Sequence, residues 1–108
     1  MNADAMLKKI GYTISEDKPY YLSYVRDRDI YEDHIVFYFI ENNKRISIYT
    51  FIKPFKSFND KDLTIEEVQA INKFIEETNL DRKTYKEKYH VKNTWWCRFK
   101  RIKKFWVC

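Results

Sequence analysis

DHIVFYFIENNKRISIYTFIK, residues 33–53, is the stretch on which the fold turns. Its first part, DHIVFYFIE (33–41), is apolar and aromatic at successive positions. A strand buried on both faces has that composition, so a central place in a sheet is expected. Its last part, RISIYTFIK (45–53), alternates, with Ile46, Ile48 and Ile52 on one side and Ser47, Tyr49 and Phe51 on the other. The link ENNK (41–44) carries two asparagines, which tolerate the left-handed backbone that tight hairpins need. A hairpin centred on Asn42-Asn43 sets Phe39 opposite Ile46 and Phe37 opposite Ile48, one aliphatic-aromatic face. The other face then holds His34, Val36, Tyr38, Tyr49 and Phe51. A slip of one residue exchanges the two faces.

Working outward, YYLSYVRD (20–27) is aromatic and β-branched and reads as a third strand. SEDKP (15–19) before it reads as a turn, because the residue preceding Pro19 is pushed out of helical space. ADAMLKKI (3–10) predicts a short helix that offers Ala5, Met6 and Ile10 for packing, with Gly11 placed to end it. On the other side, Pro54 ends the hairpin and PFKSFNDKD reads as a loop. T-I-E-E at 64–67 is a capping box, the Thr64 hydroxyl and the Glu67 carboxylate each serving the other's backbone N–H. Val68, Ile71, Phe74, Ile75 and Thr78 follow on one side, opposite Glu66, Lys73, Glu76 and Glu77, so a helix laid on a sheet is expected. DRKTYKEKYHVKN (81–93) is a charged connector or a second helix. The expected fold is α+β: a short N-terminal helix, a three-stranded antiparallel sheet and an amphipathic helix over 1–80. A basic C-terminal extension, 81–108, packs on that domain or projects from it.

Hydrophobic residues make up 44% of the 108 and aromatic residues 19%, enough for one well-filled core. Gly11 is the one glycine, which leaves no material for a glycine-rich phosphate loop. The first ten residues, MNADAMLKKI, have no apolar run behind a basic start, and no stretch reaches the length of a membrane span. A cytoplasmic protein with free thiols at Cys97 and Cys108 is therefore expected. Catalysis finds little footing. Glu32, Asp33 and His34 are adjacent on a strand and point to alternate faces, His90 lies among lysines, and Cys97 has no base in view. A non-enzymatic protein without metal or cofactor is the expectation.

Charge is unevenly spread. The formal total is +5, but 81–108 holds ten lysines and arginines against Asp81 and Glu87, a balance of +8, which leaves 1–80 at −3. Such asymmetry reports on partners. The chain closes on NTWWCRFKRIKKFWVC, residues 93–108. On a helical wheel Trp95, Phe99, Ile102 and Trp106 fall within an arc of about 60°, with Arg98, Lys100, Arg101, Lys103 and Lys104 around the remainder and Trp96 flanking. A hairpin is the rival geometry, and the cysteines separate the two. Eleven residues of helix span roughly 16 Å, beyond disulfide reach. Three roles compete for this segment. Its tryptophans could cover the sheet face of Tyr38, Tyr49 and Phe51. It could be an arm for nucleic-acid phosphates or an acidic groove on a protein. It could lie on an anionic membrane surface. The candidate contact residues are Trp95, Trp96, Arg98, Phe99, Lys100, Arg101, Lys103, Lys104 and Trp106, with Tyr38, Tyr49 and Phe51 as candidate base-stacking groups. A further alternative puts the functional surface on the acidic helix face at 66–77.

MLKKIGY, the strands, and LTIEEVQAINKFIEE together resemble small uncharacterised proteins of phages and prophages of Gram-positive bacteria. Those are similar in a leading L-x-K-x-GY, a strand meander and a closing LT-x-EE-x-x-AI-x-K helix. Leu7, Lys9, Gly11, Tyr12, Leu63, Thr64, Glu66, Glu67, Ala70, Ile71 and Lys73 carry the resemblance over residues 6–80, and the basic tail departs from it. The resemblance implies a stoichiometric binder of a host or defence macromolecule, a protein or a nucleoprotein complex, in the host cytoplasm, by analogy with small inhibitors of CRISPR effectors. It assigns no active site.

Overall fold

Five strands, not three, make the sheet. The computed structural model describes residues 1–89 and orders the strands β1 (Thr13–Lys18), β2 (Tyr21–Arg28), β3 (Tyr31–Tyr38), β4 (Arg45–Ile52) and β5 (Ser57–Asp60). Each pairs antiparallel with the next, in the spatial order β1-β2-β3-β4-β5. The expected strands correspond to β2, β3 and β4. The two added strands lie in TISEDK, part of which reads as a turn, and in SFND, which reads as loop. Both are edge strands, and every residue of β1 is exposed. An edge strand pairs on one side only and need not bury either face, so a polar segment without alternation suffices. Pro19 stands with Tyr20 in a two-residue link, since Lys18 already pairs with Tyr21.

β3 is central, as its composition predicts, but the hairpin register differs by two residues. Phe37 faces Ile46 and Ile35 faces Ile48. Because side chains alternate with a period of two, an even shift leaves every residue on its expected face. The cause is a longer connection. Tyr38 pairs with Arg45, and Phe39 instead donates its N–H to the Tyr20 carbonyl at 2.8 Å, tying this turn to the β1–β2 turn.

Helices α1 (Ala3–Lys9), α2 (Ile65–Thr78) and α3 (Arg82–Tyr89) supply the second layer. The Asn2 side chain accepts from Ala5 N–H at 2.8 Å and starts α1. It ends where Tyr12 N–H reaches back to the Leu7 carbonyl and Gly11 N–H to that of Lys8, both at 3.0 Å. That ending requires Gly11 at φ +100, where a Cβ would lie 3.1 Å from Arg26 Cδ. Thr64 and Glu67 form the expected capping box on α2. The buried side of α2 is rotated from the expected one: Glu67, Ala70, Ile71, Phe74 and Thr78 point inward, while Val68 and Ile75 are exposed. The core joins Ala3 and Leu7 of α1, Ala70, Ile71 and Phe74 of α2 and Tyr85 of α3 to Leu22, Tyr24, Ile35 and Phe37 of the sheet. The Phe37 and Phe74 rings stack with centroids 3.9 Å apart and fix α2 over β3.

Candidate binding face

Alternation along β2, β3 and β4 gives the sheet two unlike sides. The helix-covered side holds, beside its apolar core, a network of buried ions. Asp33 is fully buried and accepts from Arg26 Nη2 at 2.7 Å, from Arg28 Nε at 2.6 Å and from Thr50 Oγ1 at 2.9 Å. Burial by itself would raise this carboxyl. The bonds from Arg28, Arg26 and Thr50 outweigh it and hold the group down at about 2. Glu67, also fully buried, takes Lys61 Nζ at 2.8 Å, Thr64 N–H at 2.8 Å and the Tyr12 hydroxyl. Desolvation opposes its ionised form, but Lys61, Thr64 and Tyr12 lower it below the ordinary glutamate value. Burial and the bond to Glu67 push Tyr12 upward in turn. Arg26 links the two carboxylates, lies over the Tyr12 ring at 4.7 Å and donates to the Ile10 carbonyl. These charges satisfy one another and lock α1, α2 and the sheet together.

The opposite side has no described element over it. Register places Tyr21, Ser23, Val25 and Asp27 of β2 on it, with Glu32, His34, Val36 and Tyr38 of β3. Arg45, Ser47, Tyr49 and Phe51 of β4 and Phe58 and Asp60 of β5 complete it. Its rings touch in series. His34 stacks on Tyr49 with centroids 4.6 Å apart and planes 8° from parallel. Tyr49 meets the edge of Phe58 at 5.4 Å, and Phe58 stacks on Phe51 at 4.8 Å. Tyr21 lies 6.0 Å from Tyr38, whose other contact is the Arg45 guanidinium at 4.4 Å. Tyr38, Tyr49 and Phe51 are half-buried by these neighbours, whereas Phe58 is 66% exposed. Partial burial, with Tyr38, Glu32 and Glu16 nearby, raises the Tyr49 hydroxyl.

The structure thus brings the three candidate stacking residues together on one surface that no other described element covers. Trp95, Trp96, Arg98, Phe99, Lys100, Arg101, Lys103, Lys104 and Trp106 lie outside the described residues, as do His90, Cys97 and Cys108. Tyr21, Arg45 and Phe58 belong to the face but escape a reading of the sequence. Tyr21 joins the face through the β2–β3 pairing, Arg45 stands at the polar start of β4, and Phe58 sits in an edge strand without alternation. Glu32 and His34 do share a side, with His34 Nε2 2.9 Å from Glu32 Oε1, while Asp33 faces inward. All three belong to the central strand, β3.

No group of three or more histidines, cysteines, aspartates or glutamates among the described residues is placed to hold a metal ion. No described helix is long and apolar enough to cross a membrane. A shallow cleft between α1 and α2 is lined by Met1, Met6, Lys9, Ile10, Glu66 and Gln69. Compared with known proteins, the chain matches no family model, no curated protein and no solved structure.

Proposed function

We propose that this is a non-enzymatic binding protein of phage or prophage type, one that occupies a surface of a host or defence macromolecule. The observation that carries the reading is the open aromatic face. An antiparallel sheet can leave one side to solvent, but that side is then usually polar. Here Tyr21, Tyr38, Tyr49 and Phe51, each half-buried, line it beside the exposed Phe58, and a contiguous aromatic surface is the kind that marks contact sites. The buried charges, by contrast, are committed to holding the layers together. The basic residues of 93–108 are the second contact element, and a nucleoprotein complex would offer counterparts to both: protein for the face, phosphates for the tail. The cytoplasm of the host cell is the setting this reading implies.

The test is capture from a Gram-positive host lysate by the full chain and by a Tyr49→Ala/Phe58→Ala variant that keeps its unfolding midpoint. A component captured by the first and lost from the second is expected. Equal capture by both refutes the face as a contact site.

Direct nucleic-acid binding is the second reading, supported by the ring series and the positive tail. It requires affinity that falls steeply with salt. If neither single- nor double-stranded DNA or RNA binds at low salt, this reading is excluded.

A further inference from the structure

The open face has a charge signature of its own. Glu16, Asp27, Glu32 and Asp60 share it with Lys18 and Arg45, so acids outnumber bases there although the whole chain is +5. Asp27 is bridged by Lys53 at 2.6 Å, and Glu32 shares a hydrogen bond with His34 Nε2 at 2.9 Å. Glu16 and Asp60 have no ion-pair partner among the described residues. Carboxylates standing among ring faces repel phosphate. They attract guanidinium and ammonium groups, which the negative faces of the rings attract as well. The molecule already makes one such contact, Arg45 over Tyr38.

We propose that the open sheet face is the docking site for an arginine- or lysine-bearing segment of a partner protein, its cations seated on Tyr49, Phe58 and Tyr38 between Glu16, Glu32 and Asp60. This rests on the reading of the protein as a binding module and adds the chemistry of what it binds. The chain's own basic segment has suitable chemistry too, and an external segment is distinguished from it by the tryptophan emission below. The described chain stops at Tyr89, whose ring stacks on Phe74 and whose hydroxyl is bonded to Glu77, in the helical layer behind the sheet. The first cation of the basic segment, Arg98, is nine residues further along the sequence, about 30 Å of extended chain, so the experiment has to separate the two occupants.

The experiment is fluorescence anisotropy of the full chain with labelled hexa-arginine, hexa-lysine, hexa-glutamate and oligo-dT peptides or strands, at low and at physiological salt. Hexa-arginine is expected to bind tightest, with hexa-lysine next because a planar guanidinium stacks better on rings. Phe58→Ala should weaken it by about three- to fivefold, and Glu32→Gln with Asp60→Asn by more. Phe58 is largely exposed, so its loss opens no core, and an unchanged unfolding midpoint verifies this. A net positive chain would by mean charge prefer hexa-glutamate or oligo-dT, which makes the order of affinities diagnostic. Tighter binding of oligo-dT that is lost in Phe58→Ala overturns the proposal while sparing the face as a binding site. Hexa-arginine binding that none of these variants alters also overturns it, as does no binding at all. All three tryptophans lie within 95–106, so their emission reports on the tail alone. A red shift on Phe58→Ala without added peptide would make the tail the occupant and equally defeat the proposal.

Discussion

The two oxygens of Asp33 accept from five donors on three side chains, contributed by β2 and β4 on either side of it. Replacement by asparagine leaves half-buried Arg26 with only Glu67 at 3.4 Å and exposed Arg28 without a counter-ion, a loss of about 1–3 kcal/mol. Asp33→Asn should therefore unfold at clearly lower urea than the parent. Its pH response follows from the same geometry. A carboxyl held at about 2 in the folded protein, below the ordinary aspartate value of 3.8, adds stability that is fully present above that ordinary value. This stability is lost as pH falls through the folded value. Between about pH 5 and pH 2 the parent should lose about 2 kcal/mol more than Asp33→Asn does, read from urea midpoints at each pH. Equal losses in the two proteins would mean that the network is not what protects the carboxylate. In the sequence, alternation already separates Asp33 from Glu32 and His34. That two arginines on the neighbouring strand converge on it depends on the β2–β3 register, which no local pattern encodes.

Elements differ in how far their own residues specify them. α2 is legible because its start signal is chemical: Thr64 accepts from Glu67 N–H, and Glu67 answers at Thr64 N–H. Thr64→Ala should cost about 1 kcal/mol, measured as a lower thermal or urea midpoint with an unchanged slope. A null effect would mean that Glu67, held independently by Lys61 and Tyr12, caps the helix without the threonine. The inward turn of Glu67 is the part periodicity misses. An apolar stripe predicts Val68 and Ile75 inside, yet the buried ions rotate α2 toward Glu67 and Ala70. β1 and β5 are illegible for the opposite reason. Their polar residues satisfy an edge that buries little, so the same composition serves turn, loop or strand. The aromatic face was half legible: Tyr38, Tyr49 and Phe51 follow from alternation in one hairpin, but Phe58 joins them only once β5 is paired beside β4.

At the scale of the molecule, the described residues close a core of their own. Leu22, Tyr24, Ile35 and Phe37 meet α1, α2 and α3 without drawing on 90–108, and the ionic network closes within residues 10–67. The five basic residues of 93–108 have no acidic residue among them, so removing that segment takes the formal charge from +5 to zero. Two readouts then separate a contact segment from a structural one. If the segment serves partners, the chain ending at residue 92 keeps a cooperative transition with its midpoint within about 2 °C of the full chain, less than the shift of 4–8 °C expected per kcal/mol in a domain of this size. It also loses salt-dependent retention on a heparin column, because the cations that neutralise its sulfates are gone. A midpoint lowered by ten degrees or so, with emission of the parent's tryptophans blue-shifted as in a dry interior, would instead make the segment part of the fold. Retention that survives the deletion would move the anion-binding charge onto Lys83, Lys86 and Lys88 beside α2.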